Sequence, residues 1–96
     1  MATVTWNPRA LRDIDRLETF LWEKSPRAAK EITTTIVQAT RRLETFPRVG
    51  RPADDLDPHH RELMVPFGEG GYVVFYAIID DTVEILNVRH QREAGY

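Results

Sequence analysis

The chain has 96 residues, of which 42% are hydrophobic and 29% are charged, a balance typical of a single soluble globular domain spanning residues 1–96. It contains no cysteine, which excludes disulfides and thiolate metal sites. No apolar run approaches the ~20 residues that cross a bilayer, and no secretion signal is recognisable, so we expect a cytoplasmic protein. The formal net charge of −2 is unusual for a protein that binds nucleic acid through its phosphates.

A short strand and a long amphipathic helix are predicted at the start of the chain. Val4 and Trp6 alternate with threonines, which predicts a strand. Asn7 and Pro8 form a typical helix start, as N-cap and first helical residue. An apolar stripe at spacings of three and four then predicts a helix ending near Lys24. The stripe consists of Ala10, Leu11, Ile14, Leu17 and Leu21.

A second helix is predicted directly after the first. Ser25-Pro26 repeats the start signal, and apolar residues keep helical spacing up to Pro47, which cannot continue a helix. Residues 32–37 are six β-branched residues in a row, a composition that by itself favours a strand. Because period-2 alternation is absent and the 3.6-residue period runs through the segment, we predict a helix. Two helices with so short a link form an antiparallel hairpin.

The second half of the chain predicts strands. Residues 47–60 are polar and rich in proline and glycine, and so long an irregular stretch in a small domain tends to be functional or mobile. Three apolar segments follow, at 61–67, 72–79 and 83–88, and they predict a three-stranded antiparallel meander. Pro66 indicates that the first of these strands lies at a sheet edge or ends in a bulge.

The predicted fold class is α+β: an N-terminal strand, an antiparallel two-helix hairpin and the three-stranded antiparallel meander, with the helices on one sheet face. The position of the first strand in the sheet stays open. We expect the core to include apolar residues of both helices and of the central strand. These are Ile14, Leu17, Leu21, Ile32, Ile36, Leu43, Val74 and Tyr76.

Several segments carry a distinctive combination of residues in a fixed order. They are Val4-Thr5-Trp6, Ser25 to Ala29, Leu43 to Pro47 with Gly50-Arg51, Arg61-Glu62-Leu63, Tyr72 to Tyr76 and Val83 to His90. Together they resemble the RelE/ParE toxins, and the resemblance covers nearly the whole chain. It implies the toxin of a type II toxin–antitoxin (plasmid stabilization) system, which a cognate antitoxin binds and silences in a hetero-oligomer. We expect no cofactor, no metal and no membrane partner.

The family divides by target. RelE-like members cut messenger RNA on the ribosome with basic residues and often a late tyrosine or histidine, whereas ParE-like members inhibit DNA gyrase and have no established hydrolytic site. RelE-like chains place an arginine directly after a glycine-tyrosine on the central strand, whereas Gly71-Tyr72 is followed here by Val73. This departure and the charge of −2 favour a ParE-like gyrase inhibitor. The alternatives are a RelE-like ribosome-dependent mRNA endoribonuclease and a non-toxic interaction module that keeps the fold.

Basic residues at the predicted strand ends are the candidate site. RNA cleavage through the 2′-hydroxyl needs a base, an acid and a cation at the phosphate. If the chain is a nuclease, the candidate catalytic residues are Arg61, His90, Arg92 and Tyr96. The candidate target-binding residues are Arg51, Arg61, Arg89, His90 and Arg92. They would form one basic cluster if the strand ends adjoin, although strand ends and tails are commonly polar without any such role.

Two aromatic residues of the first helix are the candidate antitoxin-binding residues. Phe20 and Trp22 point about 160° apart, given an advance of ~100° per residue, so at least one lies off the sheet-facing stripe. An exposed aromatic residue beside a helix hairpin can anchor a partner helix.

The acidic and histidine-rich stretch before the meander invites a metal interpretation, and we prefer a solvated turn. Its residues are Asp54, Asp55, Asp57, His59 and His60. Their spacing fits neither a calcium loop nor a helical histidine pair.

Overall fold

The computed structural model describes residues 1–53 and 57–93. Its elements are β1 (Thr3–Trp6), α1 (Pro8–Lys24), α2 (Pro26–Thr45), β2 (Arg51–Pro52), β3 (His60–Phe67), β4 (Gly70–Ile79) and β5 (Thr82–His90). The two helices pack on one face of a five-stranded sheet, which confirms the predicted α+β class. Neither helix is long and apolar enough to cross a membrane.

The helix hairpin is built on two N-caps. The Asn7 side chain accepts the N–H of Arg9 at 2.9 Å and starts α1. Ser25 has two functions: its N–H donates to the Leu21 carbonyl and closes α1, while its Oγ accepts the N–H of Ala28 and starts α2. One residue therefore separates the helices.

The β-branched run at 32–37 lies wholly within α2, as predicted. Ile32 and Ile36 are fully buried, one turn apart, whereas Thr34 between them is exposed. Burial follows the helical period, and packing against the sheet outweighs the strand preference of these residues.

The sheet has the order β1-β5-β4-β3-β2. The meander of β3, β4 and β5 is antiparallel, as predicted. The first strand adds to the far side of β5 and runs parallel to it, with Thr3 opposite Thr82, so that the complete sheet is mixed. The two-residue strand β2, which the sequence did not predict, pairs with the start of β3.

The core lies between the helices and one sheet face. Every residue predicted to be buried is buried except Leu21, which is only partly buried because it faces a groove at the end of α1. Leu11, which the periodicity placed in the apolar stripe, is 53% exposed because it lies at the margin of that stripe.

Side chains cover the edge of β5 beyond the end of β1. The pairing with β1 stops at Ile85, which leaves the following backbone groups without a neighbouring strand on that side. Asp13 of α1 accepts the N–H of Val88 at 2.8 Å, and Glu93 accepts the N–H of His90 at 2.8 Å. The edge is thereby closed to strand addition.

The opposite edge is protected by proline. Strand β3 pairs on its outer side only with the two residues of β2 in the described part of the chain. Pro66 lies beyond them and has no N–H to offer. Among the described residues β3 is therefore an edge strand only beyond its pairing with β2, and Pro66 lies in that part, which agrees with the first of the two predicted alternatives.

Candidate functional site

The sheet surface that faces away from the helices, called the open face below, carries a charged cluster. Its residues alternate along each strand with the residues of the core. Glu62 of β3 lies between two arginines: its Oε1 is 3.5 Å from Nε of Arg51, and its Oε2 is 3.9 Å from Nη2 of Arg89. Val73 is the cross-strand partner of Arg89 and is 1% exposed. One carboxylate thus lies within ion-pair distance of two arginines beside an apolar position, and the three side chains together keep a single net positive charge.

On the helix side of the sheet, a groove of about 590 Å³ opens between α1, the start of β4 and the end of β5. It is called the α1 groove below. Its floor is apolar and its rim is charged, and it is lined by Arg16, Leu17, Phe20, Leu21, Tyr72, His90, Arg92 and Glu93. Nη1 of Arg16 donates to Oε2 of Glu93 at 2.9 Å, which ties α1 to the turn after β5.

His90 forms one wall of the α1 groove. Its ring packs edge-on against Tyr72, with centroids 5.2 Å apart, and its Nδ1 accepts the N–H of Arg92 at 3.1 Å. Because Nδ1 is an acceptor, a neutral His90 carries its proton on Nε2. Burial, together with the charge of Glu93, raises the pKa of Tyr72.

Arg61 lies neither on the open face nor at the α1 groove, and its side chain supports the loop after α2. Its Nη1 donates to the carbonyls of Arg48 at 3.2 Å and Gly50 at 2.7 Å. Beside it the Tyr76 hydroxyl donates to the Pro47 carbonyl at 2.7 Å and accepts the N–H of Gly50 at 3.0 Å. Burial raises the pKa of Tyr76, while the Gly50 hydrogen bond and the Arg61 charge oppose that rise. The guanidinium of Arg61 therefore faces backbone carbonyls of its own chain.

The structure does not bring the predicted basic residues into one cluster. In an antiparallel meander the first and third strands run in the same direction, so the start of β3 and the end of β5 lie at opposite ends of the sheet. Arg61 is opposite Tyr76 and His90 is opposite Tyr72, a separation of about 13 Å along β4 at ~3.3 Å per residue. Arg89 points to the open face, on the other side of the sheet from His90.

The remaining candidates are divided in the same way. Arg51 lies on the open face with Glu62, and Arg92 lies at the α1 groove. Tyr96 lies outside the described residues.

The two candidate antitoxin-binding residues are both exposed, Phe20 by 58% and Trp22 by 53%. Phe20 faces the α1 groove, with Nζ of Lys24 5.0 Å from its ring centroid. Trp22 lies on a different side of α1, beside Glu18 and Thr19. Their opposed directions agree with the angle predicted from the helical period.

The acidic stretch before β3 forms a turn in the residues that the structure describes. Asp57 pairs with Nδ1 of His60 and accepts the N–H of His59 at 3.0 Å, and this backbone hydrogen bond lowers the pKa of Asp57. The His60 ring stacks on Phe75, with centroids 5.3 Å apart. Asp54 and Asp55 lie outside the described residues.

The acidic residues that organise both surfaces were not predicted from the sequence. Glu62 had a usable signal, because strand alternation places it on the face opposite Leu63. Asp13 and Glu93 had none, because their contacts with β5 depend on how far β1 extends along that strand.

The helix hairpin on one face of a mixed five-stranded sheet is similar in fold to chains of two solved toxin–antitoxin systems. The chromosomal ParDE system from P. aeruginosa has a TM-score of 0.78 at 19% identity, over 94% of this chain and 96% of that chain. The intact E. coli RelBE toxin–antitoxin complex has a TM-score of 0.59 at 17% identity, over 98% of this chain and 100% of that chain.

Sequence comparison gives the family. The family model described as the ParE toxin of the type II toxin–antitoxin system parDE matches residues 4–95. Toxin RelE1 of Caulobacter vibrioides is 34% identical over 91 residues, which are 95% of each chain. The chain belongs to the RelE/ParE family of type II toxins.

Proposed function

We propose that this toxin is ParE-like and inhibits growth by binding DNA gyrase, without cutting a substrate. The open face is the observation that carries the proposal: Val73 is apolar where the RelE-like pattern has an arginine, and the Glu62 carboxylate lies within ion-pair distance of both Arg51 and Arg89. A phosphate on this face would meet a carboxylate, and loss of one charge-stabilising group costs ~10²–10³ in rate. The net charge of −2 also disfavours RNA as a substrate.

We propose that a cognate antitoxin neutralises the toxin in a hetero-oligomer by covering α1. Both exposed aromatic residues, Phe20 and Trp22, lie on this helix. The α1 groove offers an apolar floor with Arg16 and Arg92 at its rim. An acidic amphipathic segment matches this surface in polarity and charge. The RelBE neighbour, which is a toxin–antitoxin complex, supports a partner of this kind.

The second candidate is an mRNA endoribonuclease that acts on the ribosome. The lining of the α1 groove favours it, because an imidazole-bearing residue and a cationic residue, His90 and Arg92, both border that groove. In that case His90 would transfer the proton and Arg92 would hold the phosphate. The name Toxin RelE1 of the Caulobacter relative supports this candidate.

Two assays on the purified toxin separate these functions. We expect the toxin to block supercoiling by gyrase and to leave mRNA on reconstituted ribosomes intact. His90→Ala should change gyrase inhibition by less than about threefold, like the matched variant of its exposed neighbour, Gln91→Ala. Codon-dependent cleavage that His90→Ala abolishes would establish the nuclease. A toxin that is inactive in both assays but binds its antitoxin would be an interaction module.

A further inference from the structure

The loop after α2 forms a rigid projection, which we call the knuckle and define as residues 46–51. Phe46 ends α2, with its N–H bonded to the Arg42 carbonyl at 2.8 Å, and its own carbonyl accepts the N–H of Val49 at 3.1 Å. A tight turn therefore begins directly at the end of the helix. Arg51 then enters β2 and fixes the other end of the knuckle to the sheet.

Two side chains of the sheet hold the knuckle from below. Tyr76 bonds to the Pro47 carbonyl and the Gly50 N–H, and Arg61 bonds to the carbonyls of Arg48 and Gly50. The Phe46 carbonyl accepts a hydrogen bond within the turn. Of the five backbone carbonyls of residues 46 to 50, all except that of Val49 therefore accept a hydrogen bond in the structure. The knuckle is thus held in one conformation before any partner arrives, which lowers the entropy cost of binding.

Gly50 makes the close approach of loop and sheet possible. A Cβ at this position would lie 2.5 Å from the Tyr76 hydroxyl oxygen and 2.6 Å from the Glu62 carbonyl oxygen. A side chain at residue 50 would displace the knuckle from its supports.

The outer surface of the knuckle is apolar at its tip. Phe46 is 63% exposed and Val49 is 43% exposed, with a shallow depression between them. A hydrophobic pair on a tight turn could instead have folded inward, yet the bonds to Tyr76 and Arg61 hold the backbone with these side chains outward. Exposed aromatic residues on ordered turns are frequent anchors in protein interfaces.

Positive charge surrounds this tip. Residues 41–51 contain four arginines and one acidic residue, whereas the whole chain has a net charge of −2. Arg41, Arg42 and Arg48 are exposed and form no ion pair with any residue in 1–53 or 57–93. The segment around Phe46 therefore carries a local excess of positive charge, four arginines against one acidic residue, in a chain whose net charge is negative.

We propose that the knuckle is the surface with which the toxin binds its target protein, and that it fits an acidic protein surface with an apolar recess for Phe46. This inference rests on the proposed function, since it assigns the contact surface for gyrase. A protein partner is favoured over a nucleic acid because the tip is aliphatic and aromatic and the overall charge is negative. An acidic surface complements the three arginines, and an apolar recess complements Phe46 and Val49.

The experiment compares knuckle variants with matched variants outside both the knuckle and α1. Phe46→Ala and Arg48→Glu change the knuckle, whereas Ile79→Ala and Arg27→Glu change an exposed apolar residue and an exposed arginine elsewhere. Each variant is assayed for inhibition of gyrase supercoiling, for thermal unfolding by circular dichroism and for affinity to the cognate antitoxin. We expect the two knuckle variants to need at least tenfold more toxin for half-inhibition. Their melting temperatures and antitoxin affinities should stay near those of the wild type and the control variants.

Each outcome decides a different statement. If the wild type inhibits gyrase and the knuckle variants inhibit it equally well, the knuckle is not the contact surface, while gyrase inhibition stands. If the wild type does not inhibit gyrase, the proposed function fails and takes this assignment with it. If the knuckle variants lose binding to ribosomal RNA instead of gyrase inhibition, the partner is a nucleic acid and the inference is wrong.

Discussion

At the scale of single residues, Tyr76 connects the core with the knuckle. Its ring is fully buried between the sheet and the helices, and its hydroxyl reaches the loop after α2. A phenylalanine would fill the same space but would leave the Pro47 carbonyl and the Gly50 N–H without this partner. The hydroxyl therefore contributes mainly by satisfying two backbone groups.

We expect Tyr76→Phe to lower the free energy of unfolding by about 1–3 kcal/mol, the usual cost of leaving a buried polar group unsatisfied. Urea denaturation measures this change. Tyr72→Phe is the matched control, because Tyr72 lies in the same strand and core and its hydroxyl bonds to no residue that the structure describes. Equal losses in the two variants would mean that the hydroxyl of Tyr76 has no special role.

The residue type of Arg61 did not predict its hydrogen-bond partners. Its position at the start of a strand was predicted correctly, and its chemistry suits a phosphate. Its guanidinium donates to the carbonyls of Arg48 and Gly50 in the loop after α2. No pattern in the sequence predicts that this loop packs against Arg61. Which partner an arginine finds is decided by tertiary packing.

At the scale of elements, the covered edge of β5 is the most specific feature. Asp13 and Arg16 lie one helical turn apart on α1 and reach the N–H and the carbonyl of Val88, at 2.8 and 3.5 Å. Side chains of a helix thus take the place of a neighbouring strand. This arrangement also fixes the position of α1 along the sheet.

We expect Asp13→Ala to destabilise the fold by about 1–3 kcal/mol, because the N–H of buried Val88 loses a charged acceptor. Thermal and urea unfolding measure the loss. Asp15→Ala serves as the control, since Asp15 is exposed on the same helix. A loss of similar size at Asp15 would point to helix charge rather than to the covered edge.

Local patterns predicted the helices and the meander well, because helical period, caps and strand alternation are properties of neighbouring residues. The end of α1 at Ser25 and the helix at 32–37 are examples. The place of β1 beside β5 could not be predicted in this way, since it depends on a contact between distant parts of the chain. The candidate site failed to assemble for the same reason, as Arg61 and His90 lie at opposite ends of the sheet.

At the scale of the whole molecule, the toxin presents two exposed surfaces of different character, one on α1 and the other at the knuckle. The α1 groove and the exposed aromatic residues of α1 suit an amphipathic partner segment, and the knuckle lies beyond the end of the other helix. The surfaces proposed for the antitoxin and for the target are therefore separate, and variants of one surface should leave the other intact.

We expect Phe20→Ala and Trp22→Ala each to weaken the complex with the cognate antitoxin by about 2 kcal/mol, the threshold of an interface hot spot. This corresponds to a roughly 30-fold higher dissociation constant, which isothermal titration calorimetry can measure. Ile79→Ala is the control, because Ile79 is comparably exposed on a strand away from α1. Unchanged affinity in both aromatic variants would place the antitoxin elsewhere on the toxin.

The pairing of β1 with β5 has a consequence for the order in which the molecule takes shape during synthesis. The first strand is made at the outset, but its partner comes from the last part of the chain, with Thr3 opposite Thr82. At the usual synthesis rate of 5–20 residues per second, roughly 4–16 s pass between the synthesis of β1 and that of its partner strand. The helix hairpin depends on local contacts and can form in the meantime. His90 and the turn after it form part of the α1 groove. The surface proposed to bind the antitoxin is therefore among the last parts of the toxin to be completed during synthesis.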